Sequence, residues 1–303
     1  MRARPTSNRI RPTSKAPAFL AVALVVAGSL LAQSRLGRGG RGGRWGTESY
    51  IPPNARTARD VPSHSTETPT WTNPPAFPHD TFVFTRLHYT QGWGRGSGWS
   101  TDLPDSDLNL SYRLQQMTSV RVDPNGRFLR ATDPDLPGHP FLYIVEAGGL
   151  SLDNSEVADL RQYLLNGGFL LLDDFWGDDA WDNAEEVLAQ VLPGRRFVEL
   201  PLDHPLYHGV FSIQAKGQIP NYRLGIQSEF DPAHRTWETE DSTVVHHRAI
   251  LDDHGRIMVL ATHNTDNGDG WEREGENDYF FHNFSEKIAY PLGINIIYYA
   301  MTH

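Results

Sequence analysis

The sequence contains no cysteine among its 303 residues. This absence excludes disulfide bonds, thiolate metal sites and cysteine nucleophiles together. It leaves the redox compartment open, because an exported protein can simply lack cysteine. The chain also has no fixed-period internal repeat, which argues against a solenoid or a propeller.

Positive charge is scarce after residue 44. Residues 1–44 hold nine of the 27 Lys/Arg residues and no Asp or Glu, so the rest of the chain carries 18 basic and 37 acidic residues, a formal charge of −19. A surface this acidic repels phosphate backbones, and we expect no nucleic-acid partner for the folded part. The charge suits cations or neutral polar ligands such as sugars.

The N-terminus has the pattern of an export signal. Five basic residues within residues 2–15 precede an apolar run at residues 16–32, the order found in secretory signals. The run is slightly shorter than the roughly 20 residues that span a bilayer, so cleavage and an uncleaved membrane anchor both stay open. Residues 1–33 are therefore predicted to be a signal peptide or an anchor. We expect the protein in the periplasm, either free or held in the inner membrane through residues 16–32.

The next segment lacks the apolar pattern of a core. Residues 35–44 are rich in Gly and Arg, and seven prolines follow between residues 45 and 80. Such a composition does not offset the entropy of ordering. We predict a disordered linker over residues 34–80 and one domain over residues 81–303, a size that suits a single α/β fold.

Apolar strands alternate with helices along this domain. The strands are predicted at residues 81–86, 141–145, 169–172, 196–200, 249–251 and 256–261, and the helices at residues 108–117, 151–166, 182–192 and 291–301. The alternation predicts an α/β fold with a doubly wound, mostly parallel sheet and helices on both faces.

Two central segments resemble a known superfamily. The runs Tyr143-Ile-Val-Glu-Ala-Gly-Gly149 and Asn166-Gly-Gly-Phe-Leu-Leu-Leu-Asp-Asp174 resemble the β-α-β unit of trehalose-utilisation-type proteins, and the resemblance implies a class I glutamine amidotransferase-like, flavodoxin-like fold. Active members carry a cysteine in the turn after the second of these strands. Here Asp173 and Asp174 occupy that turn, and a carboxylate is too weak a nucleophile for amide transfer. We therefore expect no glutaminase activity.

More narrowly, the chain resembles an uncharacterised bacterial family, domain of unknown function 4159. The resemblance is carried by Phe84-Thr-Arg-Leu-His-Tyr89, Thr101-Asp-Leu-Pro-Asp-Ser-Asp-Leu-Asn-Leu110, Leu172-Asp-Asp-Phe-Trp176 and the tail at residues 279–303. The family's association with membrane proteins implies a role in the cell envelope. The resemblance supplies no known activity.

Ligands of an open parallel sheet lie outside the carboxyl ends of its strands, and the residues at those positions are mostly polar or acidic. We predict that they line one cleft that binds a small polar ligand. These residues are Arg86, Tyr89, Trp99, Asp102, Glu146, Asp173, Asp174, Trp176, His263 and Asn264. Any catalytic role is unassigned, with Asp173, Asp174, Glu146 and His263 as the candidates.

Clustered carboxylates repel one another. A retained proton with a raised pKa, a neighbouring arginine, or a hard cation such as Ca²⁺ or Mg²⁺ relieves the repulsion. We predict no cofactor. If a cation binds, its candidate ligands are Asp173, Asp174, Asp266 and Asp269. Residues 264–272 nevertheless lack the glycine position of an EF-hand and are predicted to form an acidic surface loop.

Three functions stay open. The first is a non-enzymatic envelope domain that binds a saccharide, a peptide or a divalent cation. The second is a carbohydrate hydrolase that uses paired carboxylates, with tryptophans as stacking faces. The third is an interaction module of a membrane-associated assembly, with an envelope protein as partner. Against the two site hypotheses, Asp173 and Asp174 could simply cap the following helix and its loop.

Overall fold

A computed structural model of the chain describes residues 50–65, 67–75, 80–92 and 98–303. The predicted export signal and the Gly/Arg-rich tract lie outside these residues. Within them, no helix combines the length and the apolar character that crossing a membrane requires.

Seven strands form the main sheet, and two short strands pair separately. The strands are β1 Thr85–Leu87, β2 Thr90–Gln91, β3 Arg127–Leu129, β4 Phe141–Ile144, β5 Leu150–Ser151, β6 Phe169–Leu172, β7 Val198–Glu199, β8 His246–Leu251 and β9 Ile257–His263. The main sheet has the order β3-β1-β4-β6-β9-β8-β7. Its first five strands are parallel, and β8 and β7 extend it antiparallel. Strands β2 and β5 form the antiparallel pair.

Helices connect these strands. They are α1 Asp105–Met117, α2 Asn154–Leu165, α3 Gly177–Val191, α4 Tyr222–Ser228, α5 Asn267–Glu272 and α6 Asp278–Phe280, followed without a break by a π-helix at Phe281–Ala289 and by α7 Tyr290–Thr302. Short 3₁₀ turns occur at Ala58–Asp60, Gly98–Ser100, Leu136–Gly138, Ala147–Gly149 and Pro205–His208.

The five parallel strands, numbered among themselves along the chain, follow the order 2-1-3-4-5. This is the flavodoxin-like doubly wound order, whose ligand site lies where the winding reverses, here between β1 and β4. The predicted α/β class with a mostly parallel sheet is confirmed.

Alternate side chains of the central strands enter two cores. Phe141 and Tyr143 of β4 pack on the face covered by α1 and α7. Leu142 and Ile144 of the same strand pack on the face covered by α2 and α3. Because both faces are covered, the central strands β4 and β6 are continuous apolar runs rather than alternating ones.

Helix α2 begins three residues later than the sequence predicted. Asp153 caps it, accepting hydrogen bonds from the backbone N–H groups of Ser155 and Glu156 at 2.8 and 2.9 Å, and the Glu156 carboxylate accepts one from the Asp153 N–H at 2.9 Å. This capping box satisfies backbone donors that the first turn leaves free. Its position explains why Ser151 and Leu152 stay outside the helix.

The described part of the predicted linker is folded against the domain. We call residues 50–65 and 67–75 the strap. Ala58 and Val61 are buried with Leu103 and Leu108 of the domain, and the Trp71 indole N–H donates to the Val122 carbonyl at 2.9 Å. Here the structure differs from the expectation of disorder, because a few small apolar residues fit a groove that the proline-rich composition does not reveal.

Candidate functional site

Four non-glycine residues at the carboxyl-end side of the sheet have left-handed backbone conformations. They are Asp102, Glu146, Asp174 and Asn264, with φ between 51° and 63°. Such conformations are uncommon outside glycine and concentrate at functional sites. The chain turns sharply at these points, three of which directly follow or lie close to the ends of β4, β6 and β9.

Three aspartates converge at this edge. One carboxylate oxygen from each of Asp102, Asp266 and Asp269 lies within 4.8 Å of the other two. Asp266 and Asp269 belong to the first turn of α5, where the Asp266 side chain accepts a hydrogen bond from the Asp269 N–H at 2.8 Å. Asp102 reaches them from the loop before α1. All three are at least nine-tenths buried.

Asp102 brings a buried acceptor without a donor. Its Oδ2 atom has no hydrogen-bond partner among the described residues. Burial raises the pKa of Asp102 well above its usual range, and the charges of Glu272 and Asp269 raise it further, against the opposing effect of Arg86 and Arg273. A Cβ on Gly268 would overlap this oxygen. Glycine therefore leaves the space into which the Asp102 carboxylate points.

Further carboxylates surround the three aspartates. Burial raises the pKa of Asp174 well above its usual range, and Glu146, Glu238 and Asp102 raise it further. Burial does the same for Asp266, followed by the charges of Asp174 and Asp269. These groups therefore share one electrostatic environment. We call it the acidic cleft, formed by Asp102, Glu146, Asp174, Glu238, Asp266, Asp269 and Glu272.

Asp173 lies next to the cleft with every oxygen occupied. Its Oδ2 accepts from the Tyr143 hydroxyl at 3.0 Å and from the Gly268 N–H at 3.2 Å. Its Oδ1 accepts from the Thr262 hydroxyl at 2.6 Å and from the Asn267 amide at 2.7 Å. The side chain is fully buried. Asp173 thus lies between the sheet and α5, where its carboxylate accepts hydrogen bonds from both.

Arg86 also turns inward. Its guanidinium is fully buried, pairs with Asp107, and donates to the Trp99 carbonyl at 3.0 Å and to the Thr101 carbonyl. Glu146 also binds this loop, because its carboxylate accepts a hydrogen bond from the Thr101 hydroxyl at 2.8 Å. Arg86 and Glu146 together fix the loop that carries Asp102.

The three aromatic residues predicted to bind a ligand differ in their contacts with the cleft. The Trp176 indole N–H donates to Asp174 Oδ1 at 3.0 Å. The buried Tyr89 hydroxyl bonds to the Val145 and Glu146 carbonyls at 2.9 and 3.0 Å, and after burial the charges of Glu146 and Asp174 raise its pKa. The Trp99 ring stacks on His88 with centroids 4.0 Å apart. Trp176 and Tyr89 thus border the cleft, whereas Trp99 makes contacts typical of a core.

His263 and Asn264 stand apart from the carboxylates. His263 donates from Nε2 to the Gly177 carbonyl at 2.9 Å, and burial lowers its pKa to about 4, so its ring is neutral at pH 7. The charged groups that interact with it are Arg248, His246, Asp178 and Asp241, none of which belongs to the acidic cleft. Asn264 accepts from the Gly177 N–H at 2.9 Å. Both residues therefore secure the start of α3.

The prediction of a surface loop at residues 264–272 is wrong. This segment is buried and contains α5. Its glycines permit close packing, since a Cβ on Gly270 would overlap the Ala289 side chain, and the Trp271 indole donates to the Ala289 carbonyl at 2.9 Å. The glycines and acidic residues of segment 264–272 are therefore features of a tightly packed polar site rather than of a surface loop.

Sequence reasoning missed two cleft carboxylates. Glu238 comes from a long stretch for which no element was predicted, and its carboxylate accepts from the Asn221 side-chain amide at 2.6 Å. Glu272, at the end of α5, pairs with Arg273 at 2.5 Å and with His64 of the strap. Only the tertiary structure brings Glu238 to the strand ends, whereas Glu272 lies at the end of the acidic segment 264–272.

The model of the family described as Domain of unknown function (DUF4159) matches residues 83–301. The chain belongs to the DUF4159 family. No curated protein matches it. The DUF4159 region runs from just before β1 into α7 and contains every residue of the acidic cleft, whereas the strap precedes it.

Proposed function

We propose that this DUF4159 domain binds a divalent cation, Ca²⁺ or Mg²⁺, between Asp102, Asp266 and Asp269. The convergence of their oxygens within 4.8 Å carries the proposal. Ca²⁺ binds oxygens at 2.3–2.6 Å, so two ligands on opposite sides of one ion are about 5 Å apart. The unpartnered Asp102 oxygen supports it independently, because a buried acceptor without a donor is costly unless something else satisfies it.

The donor chemistry supports a hard ion. The three converging groups are carboxylates, which favour Ca²⁺ and Mg²⁺ over Zn²⁺. The arginines whose charges reach Asp102 are already engaged, Arg86 with Asp107 and Arg273 with Glu272. The cleft therefore keeps negative charge that protons relieve when it is empty and that a cation relieves when it is filled.

We propose further that a small polar ligand such as a saccharide contacts the bound ion from the partly exposed side, beside Asp174, Glu146 and Trp176.

The second candidate function is hydrolysis of carbohydrate. The raised pKa values of Asp174 and Glu146, caused first by burial, favour it, since a raised pKa suits a carboxyl to the role of general acid. Release of reducing sugar from polysaccharides, abolished by Asp174→Asn, distinguishes catalysis from binding.

The amidotransferase-like ancestry is likewise a proposal, supported by the sheet order and by the left-handed Asp174 at the strand-to-helix turn. It includes the absence of glutaminase activity, which an assay of ammonia release from glutamine tests. We also propose export through residues 1–33, to the periplasm or the inner membrane, which cell fractionation tests. Co-purification from detergent extracts tests the alternative of an envelope interaction module.

Isothermal titration calorimetry of the full-length chain with Ca²⁺, Mg²⁺ and Zn²⁺ tests the central proposal. We expect one Ca²⁺ or Mg²⁺ per chain, and loss of binding in Asp266→Asn. Asp253→Asn is the matched control, because it removes the same charge from an exposed carboxylate paired with Arg195. Absence of Ca²⁺ and Mg²⁺ binding, or an equal loss in the control variant, would refute the site.

A further inference from the structure

We infer that Asp173 is the positioning residue of this cation site, which holds Asp266 and Asp269 towards Asp102 without touching the ion. The inference rests on the proposed function. The sequence predicts Asp173 among the candidate cation ligands. In the structure its four hydrogen bonds leave neither carboxylate oxygen free to face the cleft.

Two of the four donors belong to the segment that carries the ligands. Asn267 and Gly268 lie between Asp266 and Asp269 in the sequence, and both donate to the Asp173 carboxylate. The Asp266 side chain closes the same turn by accepting from the Asp269 N–H. Because the turn is this short, a shift of its first residues moves both ligand carboxylates together.

The other two donors tie Asp173 to the sheet. Tyr143 lies on β4 and Thr262 on β9, the two strands that flank β6. Asp173 follows β6 directly, and its own N–H donates to the Ile144 carbonyl at 2.9 Å. The Asp173 carboxylate therefore connects the first turn of α5 by hydrogen bonds to the paired strands of the sheet. Residues that orient metal ligands in this way contribute roughly 10–100-fold to metal affinity.

Replacement by asparagine changes this contact with little change in volume. The Asn267 side-chain NH₂ and the Gly268 N–H can only donate, and they bond to different oxygens of Asp173, so both oxygens must accept. An asparagine amide has one acceptor oxygen and one NH₂ donor, so the NH₂ would face one of these two N–H groups. Asp173→Asn should therefore displace the first turn of α5 while the strands keep their own pairing.

The test uses Tb³⁺ as a luminescent substitute for Ca²⁺ on the full-length chain, excited through Trp271, which is two residues from Asp269. Luminescence lifetimes in H₂O and D₂O count the waters on the ion, and Ca²⁺ competition gives its affinity. In Asp173→Asn we expect Ca²⁺ affinity to fall about 10–100-fold and the ion to gain about one water, as a displaced carboxylate leaves it.

Glu156→Gln is the matched control. Glu156 is also a buried carboxylate, but it accepts from the Asp153 N–H at the start of α2 and from no residue of α5. We expect it to lower the melting temperature with less than about a twofold change in affinity. Asn267→Ala, which removes one of the two links to α5, should weaken Ca²⁺ binding to a smaller extent and decides the matter if Asp173→Asn does not fold.

Two outcomes separate the possible failures. If the wild-type chain binds neither Tb³⁺ nor Ca²⁺, the cation site itself is refuted. If the wild type binds but Asp173→Asn keeps its affinity and hydration, as Glu156→Gln is expected to do, then Asp173 only stabilises the fold and the positioning role is overturned. If Asp173→Asn does not fold, unchanged affinity and hydration in Asn267→Ala lead to the same conclusion.

Discussion

Asp102→Asn should stabilise the empty protein and weaken the cation-bound one. Two unit charges 4.8 Å apart repel by about 3.5 kcal/mol at an effective dielectric constant of 20, and Asp102 faces two such neighbours. Protonation limits this penalty, because protonating an ordinary aspartate at pH 7 costs about 4 kcal/mol. Allowing about half of that for burial of the new amide, we expect a gain of about 2 kcal/mol without the ion. For a domain of this size this gain raises the melting temperature by roughly 4–8 °C.

The same change should remove the response to Ca²⁺. The wild type at a free Ca²⁺ concentration 100 times its Kd gains about 2.7 kcal/mol by mass action. Loss of a direct ligand should cost at least as much as loss of an orienting residue, about 100-fold in affinity, and leave the variant with a gain below about 0.5 kcal/mol. Thermal unfolding followed by circular dichroism at pH 7, with EDTA or with Ca²⁺, measures both effects. Asp253→Asn again serves as the control.

The sign of the first effect is decisive. If Asp102→Asn lowers the stability of the EDTA-treated protein by more than about 1 kcal/mol, Asp102 makes a structural contact that outweighs its repulsion. The charge argument for the cleft then fails.

Three further predictions follow from the same geometry. The pKa values of carboxyls such as Asp102 and Asp266 are higher in the folded than in the unfolded state, so the ion-free protein should become less stable as pH rises above about 4. Urea unfolding across pH with EDTA should show this fall in stability, and saturating Ca²⁺ should reduce it. A fall that Ca²⁺ leaves unchanged would contradict the cation site. Gly268→Ala should weaken Ca²⁺ binding at least 10-fold by displacing the Asp102 carboxylate, as calorimetry measures, and unchanged affinity would show that Asp102 is not a ligand. A chain that begins at residue 80 should be at least about 3 kcal/mol less stable than one that begins at residue 50, because it loses the buried apolar side chains of the strap; equal urea midpoints would show that the strap is a passive linker.

The central strands could be predicted because strands that are buried on both faces of a sheet have continuous apolar sequences. The predicted strand at residues 169–172 coincides with β6, and residues 141–145 with β4 to within one residue. Strand β3, Arg127–Leu129, was missed because a three-residue edge strand that begins with arginine carries no such run. Helix α4, Tyr222–Ser228, was missed because seven residues give too few turns for an apolar period to show.

The candidate site was predictable to the level of the strand ends. The rule that ligands lie beyond the carboxyl ends of parallel strands predicts Asp102, Glu146 and Asp174 near one another, and in the structure the charges of Glu146 and Asp102 act on Asp174. It could not show that Arg86 and His263 turn inward, because their partners are carboxylates and carbonyls that only the folded chain supplies. The sequence alone predicts which residues lie near this edge of the sheet, and hydrogen bonding in the folded chain decides which of them face the cleft.

A crystal structure of the protein grown with Mn²⁺, as a substitute for Ca²⁺ or Mg²⁺, tests the proposed cation site most directly, since anomalous scattering identifies the metal. The proposal predicts one anomalous peak within about 2.5 Å of an oxygen of each of Asp102, Asp266 and Asp269, with the Asp173 carboxylate still bonded to Asn267 and Gly268. A cleft without a peak at saturating Mn²⁺, or a peak bound to other residues, would contradict it.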